Sequence, residues 1–308
     1  MNSKNLIIVM ALAAIGLLAV NGCKLSVGDY QEKTNATEMR YMNENGDFRM
    51  PDNGDDARLA MDGITIGSDK VKALSIDWIH DTVTIEAYDG TDVVVSEVSD
   101  KELNEFNSMY YSLSPEGELK ILFCKPNTVM EKGTVMAKHL FVRVPRTMKL
   151  DRLVVDGMSH TLQMNGVSSQ DLDLKGLLSS VEMDECELGK MEVGVTCSPT
   201  VEARFKQLPD KIELNSSGCI AVLYVPEDAG MTIDVDGYCM TFNSDLPIVR
   251  NGKKRVIGDG HCKIVAKRMC AALKIRTGNP EQLGNELWED DDVHIEEVLI
   301  ETLNKCVK

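Results

Sequence analysis

Four acidic residues occupy positions where stacked strands would bring carboxylates together. Glu213 and Asp234 each stand between two aliphatic residues in a segment of alternating polarity, and Glu182 and Glu202 do likewise. If these segments are strands that stack in order, the backbones of each pair lie about 4.8 Å apart. Carboxyl groups about 5–9.5 Å apart can hydrolyse a glycosidic bond, and stacked carboxylates can also hold Ca²⁺. A solvated acidic face is the simpler alternative on a chain with a net charge of −16.

Cysteine is the second reactive residue type, with nine in the chain. Disulfides are permitted if the protein is exported, but no CxxC motif or zinc-like Cys/His spacing occurs. Cys219, Cys239 and Cys270 each follow a pair of apolar strand residues by four or five positions. We therefore predict that these three thiols form a column along one edge of the stack. Cys219 and Cys239 should lie close enough for a disulfide, whether or not they are bonded; burial as small apolar side chains is the alternative.

Catalytic motifs are absent from the sequence. It contains no GxSxG, SxxK or HExxH motif, no Walker loop and no dinucleotide glycine loop. We therefore predict a non-enzymatic protein that needs no cofactor and no metal. With 33 basic against 49 acidic residues, the chain repels the phosphates of nucleic acids, which excludes a nucleic-acid-binding role.

The N-terminus predicts export and a lipid anchor. Lys4 precedes "LIIVMALAAIGLLAV", an uncharged run of fifteen residues, whereas a membrane span needs about 20. The following "AVNGC" resembles the lipobox of bacterial lipoproteins, which are cut before the cysteine and acylated on it. Residues 1–22 are thus predicted as the signal peptide and Cys23 as the lipidated residue, on the exported side of the cell membrane or outer membrane. An uncleaved membrane anchor and ordinary secretion are the alternatives.

Residues 23–70 are acidic, turn-rich and poor in apolar residues, as in "PDNGDD". This composition predicts a flexible tether between the lipid anchor and the folded domain.

Beyond residue 70 the apolar residues alternate with period two, which indicates strands. Each repeat has a leading apolar pair, a turn of about six residues and a second apolar pair. The predicted leading pairs are Leu153/Val155, Leu172/Leu174, Val193/Val195, Ile212/Leu214, Ile233/Val235 and Ile264/Ala266. The predicted second pair of the fourth repeat is Ile220/Val222. A period near 20 residues without helical spacing predicts an all-β fold, a parallel β-solenoid with about 20-residue turns. A β-sandwich is the alternative architecture.

Two segments also carry a family resemblance. "IDWIHDTVTIEAYDG" and the strand-proline-strand unit "LFVRVPRTMKLDRLVVDG", with the serial units after them, resemble a bacterial putative-adhesin family of unknown function that is related to the GIN head domain. The resemblance covers residues 71–278. Members commonly carry Ser-Gly in the turn of each unit, and here only "NSSGC" keeps it. The resemblance implies a right-handed, β-helix-like fold and surface display, and it supplies no catalytic residues.

The last residues, 279–308, form an acidic tail. Ile295, Val298, Leu299 and Cys306 follow helical spacing behind a run of acidic residues, which predicts an amphipathic helix. Such a helix could cap the open end of the stack or bind a partner.

The sequence leaves three functions open. The first is a non-enzymatic, membrane-anchored surface protein for adhesion or scaffolding, whose ligand is a surface protein or a glycan. The second is a polysaccharide-acting enzyme that uses the outward carboxylates. The third is an envelope sensor or assembly partner that acts through the tail.

Overall fold

The fold is described from a computed structural model. The structure describes residues 40–278, apart from 44, 46, 53–55, 132–133, 159, 178–179, 197–199, 216–219, 237–240, 253 and 268–271. The described residues as far as 277 belong to one compact unit, Ala36–Thr277. The predicted signal peptide, Cys23, the first part of the tether and the predicted helical tail at 279–308 lie outside the described residues.

The described part of the chain is all-β, as predicted, with one short 3₁₀ turn at Ser68–Lys70. In chain order the strands are β1 Phe48–Arg49, β2 Arg58–Leu59, β3 Ile64–Gly67, β4 Ala73–Trp78, β5 Asp81–Tyr88, β6 Asp92–Ser99, β7 Tyr110–Leu113, β8 Glu118–Leu122, β9 Val129–Met130, β10 Lys138–Pro145, β11 Lys149–Gly157, β12 His160–Asn165, β13 Ser168–Leu177, β14 Ser180–Asp184, β15 Glu187–Thr196, β16 Thr200–Arg204, β17 Lys211–Leu214, β18 Ile220–Val225, β19 Met231–Asp236, β20 Thr241–Ser244, β21 Val249–Asn251, β22 Lys254–Ile257, β23 Cys262–Lys267 and β24 Ala272–Thr277.

Two large sheets contain nearly all of these strands. Sheet 1 has twelve strands in the order β2-β7-β8-β4-β11-β13-β15-β17-β23-β19-β22-β21. Sheet 2 has ten, in the order β20-β24-β18-β16-β14-β12-β5-β10-β6-β3, and β1 pairs separately with β9. From β11 to β18 the chain alternates between the sheets. Each strand from β11 to β16 pairs in parallel with the strand two places further along the chain. We call one strand of each sheet, taken consecutively along the chain, a coil.

The near-20-residue period places aliphatic residues of successive coils directly beside one another. In sheet 1, Leu153 pairs with Leu172, which pairs with Met191. In sheet 2, Leu162 pairs with Val181 and then Val201. All six side chains are buried, and inward residues of both sheets belong to one hydrophobic core cluster. No single coil could remove its apolar pair from water alone, so neighbouring coils stabilise one another.

The register of two strands differs from the prediction. The third leading pair is Met191/Val193 rather than Val193/Val195, because Val193 pairs with Leu174, and Val195 with Gly176. The segment "MEVGV" offers three alternating apolar residues, so alternation alone does not select two of them. Similarly, β18 buries Ala221 and Leu223 rather than the predicted Ile220 and Val222, because "IAVLYV" is apolar throughout.

Two strand-ending prolines mark places where the chain skips a position in the stack. β10 ends at Pro145 and pairs with β5 in sheet 2. The next strand, β11, pairs with β4 in sheet 1, and β4 belongs to the same coil as β5. The coil β4–β5 therefore lies between β10 and β11 in the stack. β18 is followed by Pro226, and its neighbours in sheet 2 are β16 and β24. The next strand, β19, is separated from β17 in sheet 1 by β23. The coil β23–β24 therefore lies between β17–β18 and β19–β20. The predicted serial order of the last two coils, with Ile233/Val235 before Ile264/Ala266, is wrong.

The second part of the predicted tether belongs to the folded unit. β1, β2 and β3 all lie before residue 70, and the side chains of Tyr41 and Met50 are fully buried. The prediction of a flexible tether over 23–70 is therefore wrong from residue 40 onward. Isolated apolar anchors in an otherwise polar segment leave little trace in its composition.

A buried ion pair braces the N-terminal end of the sheets. Lys138 Nζ lies 2.6 Å from Glu97 Oε2, and both side chains are excluded from water. The ammonium also donates to the backbone carbonyls of Asn107 and Phe123 and lies over the rings of Trp78 and Phe123. Burial lowers the pKa of Lys138, and Glu97 opposes that shift.

We expect Glu97→Gln to lower the free energy of unfolding by about 3–5 kcal/mol, because it leaves a buried ammonium without its counter-charge. Asp89→Asn is the matched control: it breaks the exposed Arg146–Asp89 pair and should cost about 1 kcal/mol or less. Urea unfolding of both variants measures the difference. Equal midpoints for Glu97→Gln and the native protein would contradict a bracing role for this pair.

Candidate functional site

The outer face of sheet 2 carries a ladder of polar side chains across adjacent strands. Thr84 of β5 pairs with Gln163 of β12, Gln163 with Glu182 of β14, and Glu182 with Glu202 of β16. The predicted neighbouring position of Glu182 and Glu202 is confirmed. Glu182 is exposed and Glu202 is partly exposed, so both carboxylates face solvent.

A second polar column runs beside this ladder, two residues further along each strand. Together the columns border an open groove of about 450 Å³. The polar residues that line it are Thr84, Glu86, Gln163, Asn165, Glu182, Asp184, Glu202 and Arg204. The lining contains four carboxylates and one guanidinium, so the groove is acidic and rich in hydrogen-bonding oxygens and amides.

Arg204 organises one end of this groove. Its Nη2 donates to Glu202 Oε1 at 3.1 Å, and its Nη1 lies 3.9 Å from Asp184 Oδ2. Its guanidinium also lies over the ring of Tyr224, 5.6 Å from the centroid. Gln163 Nε2 donates to Glu182 Oε2 at 3.2 Å. The groove's side chains are therefore held partly in place by one another.

An aromatic pair extends the ladder at its other end. Phe141 of β10 pairs with Thr84, and the His139 ring stacks on the Phe141 ring with centroids 3.8 Å apart. His139 Nε2 and Thr84 Oγ1 are 2.8 Å apart. Burial lowers the pKa of His139, and Asp81 opposes that shift. Sequence reasoning missed this pair, although "HLFVRV" alternates as a strand should.

The carboxylates of sheet 1 are arranged differently from the prediction. Glu213 and Asp234 are not neighbours, because β23 lies between their strands and Val265 pairs with both residues. Glu213 instead pairs with Glu192 and forms an ion pair with Lys211. The hydrogen bond from Lys211 lowers the pKa of Glu213. A general acid needs the opposite shift, so Glu213 does not suit that role.

Basic residues neutralise the rest of this acidic column. Asp173, Glu192 and Glu213 stack in register on the outer face of sheet 1. The cations paired with them are Arg152 and Lys175 on Asp173, Lys190 on Glu192, and Lys190 and Lys211 on Glu213. This face is therefore a network of surface ion pairs, in contrast to the acidic groove of sheet 2.

A buried carboxyl pair forms the cluster that sequence reasoning missed most completely. Asp77 of β4 and Asp156 of β11 pair in register, and both are almost fully buried. Arg40 donates to both carboxylates, and the Tyr41 hydroxyl donates to Asp77. The three segments are far apart in sequence, so only the parallel pairing of β4 with β11 could have revealed the cluster.

The predicted thiol column falls on residues that the structure does not describe. Cys219, Cys239 and Cys270 all lie in the gaps between described residues, so their proximity stays a prediction. Among the described residues, Cys124, Cys186 and Cys262 are free and buried. Burial raises their pKa values to about 12, about 11 and about 12. Within the described ranges, no cluster of His, Cys, Asp or Glu could hold a metal ion.

Several solved structures are similar to this chain, among them two bacterial proteins. No family model and no curated protein matches the chain. It is similar to a putative cell adhesion protein from Clostridium sporogenes, at 9% identity over 72% of this chain and 98% of that chain, with a TM-score of 0.45. It is also similar to a putative adhesin from Bacteroides fragilis, at 9% identity over 74% of this chain and 99% of that chain, with a TM-score of 0.29.

Across the part of the chain that the structure describes, no helix has the length and apolar character needed to cross a bilayer.

We expect Cys124, Cys186 and Cys262 to resist alkylation by iodoacetamide in the folded protein at neutral pH. The thiolate is the reactive form, and burial both raises the pKa of these thiols and blocks access to them. Peptide mass spectrometry should find them unmodified in the native protein and modified in denaturant. Equal labelling rates in both states would contradict their burial.

Proposed function

We propose that this chain is a lipid-anchored, non-enzymatic binding protein of the bacterial cell surface. In this proposal the stacked coils form a right-handed β-solenoid whose sheet 2 groove binds a surface glycan in adhesion. The observation that carries the proposal is the polar ladder from Thr84 to Glu202, which lies open to solvent across adjacent parallel strands.

The chemistry of the groove suits a polyhydroxylated ligand. Carboxylate and amide oxygens accept hydrogen bonds from sugar hydroxyls, and bonds to ionised groups are the stronger ones. Glu182 and Glu202 supply carboxylates, and Gln163 supplies an amide. Phe141 adds an apolar ring at the end of the ladder against which a sugar face can pack. The ladder repeats at the spacing of the strands, so an extended polymer would meet several similar contacts in sequence.

Several features disfavour the alternative of a polysaccharide-acting enzyme. Glycoside hydrolysis needs a carboxylic acid that keeps its proton because its surroundings are apolar. Glu182 is exposed, Glu202 is hydrogen-bonded to Arg204, and the pKa of Glu213 is lowered. Burial does raise the pKa of Asp156, but Arg40 covers that carboxyl, which leaves no approach for a glycan.

We expect Glu202→Gln to weaken glycan binding by about tenfold, because loss of one charge-assisted hydrogen bond of about 1.5–3 kcal/mol has at least that effect. Glu213→Gln is the matched control, since it makes the same chemical change on the ion-paired face of sheet 1. Oligosaccharides from bacterial and host surfaces, tested by titration calorimetry against the full chain, measure both variants. Binding that is unaffected by Glu202→Gln would sink the groove assignment.

Turnover in the same titrations separates the two functions. Product formation that disappears in Glu202→Gln would establish the enzyme alternative, because a binding protein returns its oligosaccharide unchanged. Chromatography of the recovered ligand detects the difference.

We expect Cys23→Ala to move the protein from the membrane fraction to the soluble exported fraction. Acyl chains on this cysteine would supply about 0.8 kcal/mol per buried CH₂ group, and several chains hold a protein on a bilayer. Ser26→Ala, a conservative change in the same segment, is the control. Continued membrane retention of the Cys23→Ala protein would show that acylation is not the anchor.

A further inference from the structure

The residues Arg40, Tyr41 and Met42, which we call the N-terminal arm, are held against sheet 1 by a charged clamp. Arg40 Nη1 donates to Asp156 Oδ2 at 2.7 Å, and Arg40 Nη2 donates to Asp77 Oδ1 and Oδ2 at 3.0 and 3.1 Å. The Tyr41 hydroxyl donates to Asp77 Oδ1 at 2.9 Å, and its ring is fully buried. One guanidinium therefore bridges two carboxylates that belong to neighbouring strands.

The carboxyl pair depends on that guanidinium. Asp77 and Asp156 are each only 5% exposed, and two ionised carboxylates in register repel each other in a poorly solvated site. Asp156 Oδ1 is buried and has no hydrogen-bond partner. Burial raises the pKa of Asp156, and Asp77 adds to that shift, whereas Arg40, Lys175 and the backbone of Gly157 oppose it.

A second attachment, made of backbone hydrogen bonds, holds the chain just beyond the arm, and an isolated β-bridge joins Met42 of the arm to Phe48 of β1. Met50 N donates to Thr128 O at 2.9 Å, and Asn127 N donates to Met50 O at 3.1 Å. β1 pairs with β9, and the Met50 side chain is fully buried. Protonation can thus weaken the clamp at Arg40 while leaving this attachment intact.

We infer that the N-terminal arm is a pH-sensitive latch. The carboxylates of Asp77 and Asp156 hold it closed through Arg40, and uptake of a proton by Asp156 releases it, while β1 stays on β9. If the protein is anchored through Cys23 as proposed, the arm is where the anchored segment enters the folded unit. The inference itself depends only on the clamp.

The direction of the pH effect follows from the groups that face the pair. Arg40 and Tyr41 approach from the arm, Asp77 from β4, and Lys175 acts from β13. Tyr41 stays neutral, because burial raises its pKa well above the ordinary value. Arg40 lowers the pKa of Asp156 against the larger upward effect of burial, and a protonated Asp156 no longer forms an ion pair with the guanidinium. The latch therefore weakens as the pH falls.

The contribution of Asp156 to global stability depends on pH with the opposite sign. The pKa of Asp156 is higher in the folded protein than its ordinary value, so protonation of this group favours the folded state as the pH falls through that raised pKa. A released arm in a protein that remains folded is thus the specific signature of a latch. Simple acid unfolding would expose the arm and the core together.

Hydrogen–deuterium exchange of the full chain, corrected for intrinsic rates, tests the latch. Between neutral pH and about pH 5, above the ordinary aspartate range, we expect protection of the arm to fall about tenfold. A difference of about one pKa unit in Asp156 between the closed and the released latch changes the closing equilibrium about tenfold. Protection at β1 and Met50 should not change, which serves as an internal reference for global unfolding.

Two variants separate the clamp from other causes of arm exposure. Asp156→Asn should leave the arm poorly protected already at neutral pH and remove its pH dependence. Arg40→Gln, which keeps both carboxylates, should do the same and provides the test if Asp156→Asn does not fold. Arg49→Gln is the matched control, because Arg49 contacts Asn127 and not the carboxyl pair. Equal arm protection at both pH values in the native protein, or pH dependence that survives in both clamp variants, would overturn the inference.

Discussion

Parallel, in-register pairing of successive coils is the constraint on which the rest of the structure depends. It places Leu153 beside Leu172 and Leu162 beside Val181, so that apolar side chains of both sheets form one core. The same register aligns outward residues, whatever their charge. Columns of like residues are therefore a direct consequence of how the core is built, and each column must be neutralised, hydrated or bound.

The two sheets meet that requirement in different ways. On sheet 1, lysine and arginine side chains form ion pairs with the carboxylates of the acidic column, as Lys211 does with Glu213. On sheet 2, the column through Glu182 and Glu202 has Arg204 as the cation in its groove and stays accessible. The distinction between a neutralised face and an open face supports the groove as the binding surface. It could not be inferred from either column alone.

The ends of the stack rely on features that do not repeat. The chain skips one coil position after Pro145 and another after Pro226, and the skipped positions are filled by β4–β5 and β23–β24. At both places, strands that are not consecutive in the chain therefore lie side by side in the sheets. The buried Lys138–Glu97 pair and the Arg40 clamp are both placed at the N-terminal end, where the regular pattern stops.

The sequence by itself determined the all-β class, the near-20-residue period and the neighbouring position of Glu182 and Glu202, because alternation and spacing are local properties. It misjudged the register at Val195, where "MEVGV" offers three alternating apolar residues. It also misjudged Ile220 and Val222, where a continuous apolar run hides which residues face inward. Only the tertiary structure decided that β23 separates Glu213 from Asp234, and that Asp77 meets Asp156 under Arg40. Those outcomes depend on which strands pair across long stretches of chain, and pairing partners are selected by the packing of the whole core.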